Sequence, residues 1–223
     1  MAVATRTDED IKRDVVDELY WDDSVDASEV QVQVDRGEVT LTGTVPDYVA
    51  YQSAEDDGWA MPGVRYVRND LIVKFPAGFA VPADSHIKSN IENLLRWQPN
   101  IDSTDIQVSV DRGWVTLQGS VDAYWKKVRA EDLALGLSGV AGVSNELAVV
   151  PSKDVEDMAI AQDIHDAFIR NASVSPDLVD IQVEDGKVIL SGSVPSLQAF
   201  SAAERIARKT LGVRKIDNRL VIQ

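Results

Sequence analysis

The sequence predicts an α+β protein made of three tandem αββαβ units, each a small three-stranded mixed sheet with two helices packed on one face. Three observations carry that expectation. The chain repeats itself: Gly37, Gly113 and Gly186 each precede a second Gly by six positions, that Gly precedes a third by twenty, and an Asn follows six later (Asn69, Asn145, Asn218). The copies are offset by 76 and then 73 residues, and four positions at fixed spacing in triplicate mark a duplication. Each copy opens with apolar residues at i, i+4 and i+8, the stripe of a helix that buries one face. That stripe then gives way to strict alternation, the pattern of a half-buried strand.

The elements follow in order. The first-helix stripe is Ile11, Val15 and Leu19, then Ile87, Ile91 and Leu95, then Ile160, Ile164 and Phe168. The first strand is Val30, Val32, Val34 and its counterparts Ile106, Val108, Val110 and Val179, Ile181, Val183. Asp35-Arg36-Gly37, Asp111-Arg112-Gly113 and Glu184-Asp185-Gly186 read as tight hairpin turns, with Gly supplying a positive φ. The second strand turns Val39, Leu41, Gly43 and Val45 inward, and the missing side chain at Gly43 implies close approach of a helix or a bulge. The second helix is expected to start near Asp47, Asp122 and Ser196 and to bury Leu133 and Ile206 beside small Ala residues. Gly63, Gly139 and Gly212 are expected to end it as C′ residues. Asp57 stands at the position of Leu133 and Ile206, so this helix should be weak in the first copy, or rotated so that Trp59 and Met61 fill the core. The last strands are expected at 64–73, 140–149 and 213–222, parallel to the second because a helix lies between. The domains are then 6–75, 84–150 and 155–223, with linkers at 76–83 and 151–154.

Composition bounds the function. The 223 residues are 44% hydrophobic and 26% charged, which is ordinary globular material. Zero Cys excludes disulfides, thiolate metal sites and cysteine nucleophiles. A net charge of −15 argues against a nucleic-acid partner, since that affinity comes largely from cations at phosphates. No stretch nears the roughly 20 apolar residues of a membrane-spanning helix, so an integral membrane protein is not expected. Met1 to Asp10 shows no apolar leader, which places the chain as it stands in the cytoplasm, or in the periplasm if a leader was removed. The charge is uneven: residues 1–75 hold 7 basic and 17 acidic groups, while 151–223 hold 9 and 11.

The repeated pattern carries a family resemblance. An apolar helix precedes Ile106-Gln107-Val108 through Val121, then a helix leads to Gly139-Val140-Ala141-Gly142-Val143-Ser144-Asn145-Glu146-Leu147. The third copy has Gly212-Val213-Arg214-Lys215-Ile216-Asp217-Asn218-Arg219-Leu220. This resembles the BON domain (bacterial OsmY and nodulation) over nearly the whole chain. The resemblance implies a non-catalytic binding module, associated with osmotic or envelope stress, that contacts phospholipid or other envelope components. It supplies no catalytic residue and no cofactor, and it leaves the Gly and Asn positions as structural.

The two histidines, His86 and His165, fall in the first helices of different copies, and no metal, phosphate-loop or hydrolase motif is present. The chain is therefore read as a non-enzyme without metal or cofactor. Arg205, Arg208, Lys209, Arg214 and Lys215 cluster around the end of the last helix. They read either as cations complementing that helix terminus or as an anion or phospholipid-headgroup site. Trp114 faces outward after a hairpin turn, and Tyr124 and Trp125 open a second helix. These three are candidates for contact with a neighbouring unit, a protein partner or lipid. Trp21 and Trp97, at matched ends of first helices, are expected to pack at the core edge. The sequence says nothing of oligomeric state.

Overall fold

The computed structural model describes residues 6–223. The leader question turns on a segment that includes residues 1–5, which lie outside them. The first repeat runs α1 (Asp8–Trp21), a single 3-10 turn, β1 (Val30–Asp35), β2 (Glu38–Val45), α2 (Tyr48–Ala60) and β3 (Tyr66–Val73). The second runs α3 (Asp84–Arg96), β4 (Ile106–Asp111), β5 (Trp114–Val121), α4 (Tyr124–Leu135), β6 (Gly142–Asn145) and β7 (Ala148–Val149). The third runs α5 (Asp157–Ile169), β8 (Val179–Glu184), β9 (Lys187–Val194), α6 (Leu197–Lys209) and β10 (Lys215–Ile222). By packing, the chain divides into two compact units, one of residues up to 83 with 138–142, the other of 84–137 with 143–223.

Each sheet centres on its second strand. β1 lies antiparallel to β2, with Val32 opposite Leu41 and Val34 opposite Val39. β3 lies parallel to β2 on the other side, with Val39 opposite Val67. β8, β9 and β10 repeat this arrangement. The helix between the second and third strands dictates the parallel pairing, since it returns the chain to its starting end. In the second repeat the last strand is broken into β6 and β7, both beside β5. Leu147 is buried between the two pieces.

The core forms where both helices meet one sheet face. In the first repeat Ile11, Val15 and Leu19 pack with Val39, Leu41, Val67 and Leu71. In the third, Ile160, Ile164 and Phe168 pack with Val188, Leu190 and Leu220. Fully burying such a side chain contributes about 1.5–3 kcal/mol. The second helix brings only small residues to the sheet: Ala50, Ala54 and Gly58 in α2, Ala130 and Ala134 in α4, and Ala199, Ala203 and Ala207 in α6. A Cβ on Gly58 would sit 3.3 Å from Val67 methyls, so the helix lies close on the strands.

Five expectations are corrected. Leu133 and Ile206 are half-buried flank residues, because the close helix admits only Ala or Gly beneath it. Asp57 therefore occupies a flank and does not disturb α2, which runs unrotated for 13 residues while Trp59 and Met61 pack at the core edge. Asp47 and Ser196 do cap their helices, but Ala123 holds the cap position of α4 and Asp122, one residue early, pairs with Lys126 instead. The helices end at Ala60, Leu135 and Lys209, so Gly63, Gly139 and Gly212 lie beyond the caps. Gly63 and Gly212 adopt φ of +94° and +89°, and a Cβ there would strike Ile11 and Ile160 of the first helices. Gly43, Gly119 and Gly192 are approached by backbone, which in the first and third repeats is the end of a 3-10 turn (Ala27–Glu29 and Pro176–Leu178) and not an α-helix. Added Cβ atoms would stand 1.9, 1.8 and 2.2 Å from the carbonyls of Glu29, Asp105 and Leu178, which precede the first strands.

Candidate functional site

Two sets of hydrogen bonds recur in every repeat and define its frame. The first residue of each first helix is Asp8, Asp84 or Asp157. Its two carboxylate oxygens accept from the two consecutive backbone N–H groups at the hairpin tip. Asp8 binds Arg36 and Gly37 at 2.7 and 2.9 Å, Asp84 binds Arg112 and Gly113 at 2.8 and 2.9 Å, and Asp157 binds Asp185 and Gly186 at 2.8 Å each. Both tip residues have positive φ, which turns their N–H groups to the same side. The second set is an Asn clamp. Asn69, Asn145 and Asn218 donate to the carboxylates of Glu55, Glu131 and Glu204 on the second helix, at 3.4, 2.9 and 3.2 Å. Their side-chain oxygens accept the N–H of Leu71, Leu147 and Leu220. The Asp and Glu partners went unnoticed in the sequence, although they too recur at the repeat spacing.

Outside this frame the repeats differ at the groove between first and second helices. In the third repeat it encloses about 480 Å³ and is lined by Arg170, Arg205 and Lys209 over Ala167, Ile206 and Leu211, with Asp163 as its one carboxylate. The three cations are exposed and make no ion pair among the described residues. Equivalent positions in the first repeat hold Trp21, Asp56 and Ala60, beside Glu18, Asp22 and Asp57. There the carboxylates crowd one another. Burial, then Asp22, Glu18 and Asp56, push Asp57 up to about 6. Its Oδ2 is buried and makes no hydrogen bond among the described residues. Ser24, in the turn that follows α1, donates its hydroxyl to Ser53 of α2 at 2.8 Å.

The five basic residues of the last repeat do not converge on one point. Arg205 and Lys209 line the groove. Arg208 turns away and pairs with Glu204 at 2.6 Å, where its charge reaches Asp132 and Tyr124 of the second repeat. Arg214 covers Gly186 and lies 3.7 Å from Asp154. Lys215 is exposed at the start of β10. The sequence reading missed Arg170, which stands where Trp21 and Trp97 stand in the other copies; aligning the repeats position by position exposes it.

The aromatic candidates separate likewise. Tyr124 is half-buried against the core of the third repeat, and that burial raises its phenol above the usual range. Trp125 lies under the Lys126 ammonium, 5.6 Å from the ring centre. Trp114 is 53% exposed and lines an open surface with Ser109, Asp111 and Thr116. Trp21 and Trp97 are 80% and 79% exposed, which overturns their expected packing at the core edge. The helix stripe ends with Leu19 and Leu95, and the next two residues point past the core. His86 is exposed and His165 half-buried, in different repeats. Among the described residues no helix is long and apolar enough to cross a membrane.

Comparison with known proteins agrees with this triplicate frame. The BON domain profile matches residues 7–74, 83–151 and 156–223. Osmotically-inducible protein Y of Escherichia coli (strain K12) is 34% identical over 143 residues, covering 61% of this chain and 71% of that protein. An uncharacterized protein of the gshII 5′ region of Anaplasma centrale is 31% identical over 118 residues, covering 51% of this chain and 78% of its own length. Among solved structures, CdsD, a structural protein of the type III secretion system of Chlamydia trachomatis, aligns over 96% of this chain and 92% of its own at 14% identity. The TM-score of that alignment is 0.27. With three repeats of one frame, each covered by the same profile, the chain belongs to the BON domain family as a tandem of three copies.

Proposed function

We propose that the chain is a non-catalytic scaffold that binds protein or envelope partners during osmotic or envelope stress. One observation carries this reading: the recurring polar residues are consumed in the frame, while the positions that differ between repeats line an open interhelical groove. Similarity to an osmotically inducible protein supports the stress association. The test is capture from osmotically stressed cells, by the wild-type chain and by a variant with Arg170, Arg205 and Lys209 each changed to Glu. A partner enriched by wild type and lost by the variant is expected. Equal recovery with both, or none with either, overturns the reading. Fractionation of the native host decides between the cytoplasm and the periplasm.

A second reading, peripheral binding of anionic phospholipid, is favoured by three unpaired cations over an apolar floor in the third repeat. Vesicles containing phosphatidylglycerol should then float the protein when zwitterionic vesicles do not. Unchanged flotation after Arg205→Glu with Lys209→Glu removes this site from consideration.

A further inference from the structure

The same groove carries opposite charge in the first and third repeats. In the third, Arg170, Arg205 and Lys209 surround it with a single carboxylate, Asp163. In the first, Glu18, Asp22, Asp56 and Asp57 lie close enough to raise the last of them, and one Asp57 oxygen is buried without a donor. In the second, the matching positions hold mostly neutral residues, among them Leu94, Gln98, Leu133 and Leu137. The rims differ in a complementary way as well. Tyr20 and Trp21 stand exposed beside the acidic groove, with ring centres 5.5 Å apart. Ile169, Arg170 and Leu211 stand exposed beside the basic one. An exposed Trp beside carboxylates suits a guanidinium beside aliphatic side chains, since cation–π and ionic attraction then act together.

We infer that the partner of each groove is a second copy of this chain, the acidic groove of its first repeat docking on the basic groove of the third repeat of another. The two patches differ, so the contact is heterologous, and repeated from chain to chain it builds rings or open filaments. The inference deepens the scaffold reading by naming its partner. Its failure leaves that reading standing, because a scaffold can hold a different protein.

The experiment is sedimentation velocity of the full chain at low and high salt, with two charge-reversed variants. One variant carries Arg170→Glu, Arg205→Glu and Lys209→Glu. The other carries Glu18→Lys and Asp56→Lys. All five positions are exposed and outside the cores, and circular dichroism confirms folding. Wild type is expected to self-associate with affinity that falls about tenfold or more between roughly 0.02 M and 0.2 M salt. Each variant alone should stay monomeric: the first has two acidic grooves, and in the second two lysines offset Asp22 and Asp57, so no acidic groove is left to meet the basic one. Mixed in equal amounts, the two variants should associate, because one supplies only acidic grooves and the other keeps the basic groove of its third repeat. A wild type that remains monomeric at low salt, a variant that still self-associates, or a mixture that does not associate overturns the inference. So does a wild type that ignores its own copies and binds only anionic vesicles through Arg205 and Lys209.

Discussion

Asp57 sets a pH dependence that belongs to one residue. Burial and its acidic neighbours raise it from 3.8 to about 6. The folded first repeat therefore binds a proton more tightly than the unfolded chain does. The sign follows: this group's contribution is fully favourable below the unfolded value and is lost as pH rises through the folded one. Asp57→Asn should raise the melting temperature at pH 7 and leave it nearly unchanged at about pH 3.5. The difference between variant and wild type, followed by thermal unfolding across that window, isolates it from exposed acids such as Asp26, which shifts the opposite way. Gly192 gives a second test. At φ +114°, with a carbonyl 2.2 Å from any added Cβ, Gly192→Ala should cost well over about 1 kcal/mol in urea denaturation. The need for Gly there was legible in the spacing of the repeats. What it avoids was not, since the Leu178 carbonyl lies fourteen residues back and its approach depends on how the 3-10 turn enters the strand.

At the scale of elements, the Asp clamp fastens the start of each first helix to a hairpin tip. Hydrogen bonds to charged groups contribute about 1.5–3 kcal/mol net, so Asp157→Ala should destabilise the third repeat by about 2 kcal/mol. Hydrogen exchange at the Gly186 amide checks it directly, because that N–H loses its 2.8 Å acceptor and should exchange faster than the strand interior. Helices and strands were legible because burial imposes a period on the local sequence: Ile160, Ile164 and Phe168 announce their face without knowledge of the rest. The clamps were not. Asp157 meets residues 28 and 29 positions away, and Glu204 meets an Asn 14 positions away, distances at which no local period operates. The groove was half legible. Arg205 and Lys209 announced themselves as a charge cluster on α6, but Arg170 joins them from α5 only through packing.

At the scale of the whole molecule, most of the second repeat shares one compact unit with the third, and Tyr124 packs against the third core. Tyr124→Ala should therefore weaken the third repeat by about 1.5 kcal/mol although the residue belongs to the second, read as faster hydrogen exchange in α6 and β10. The path of the chain through each repeat has a mechanical consequence. It enters at the hairpin tip, where Asp157 is fastened, and leaves from the far end of the sheet, where Ile222 lies beside Val194. Tension applied to the two ends thus pulls β10 along β9 rather than away from it. Eight paired residues bear that load together in shear, and β3 along β2 repeats the arrangement in the first repeat. A tether of such repeats resists stretching where a sheet peeled from one end would open bond by bond.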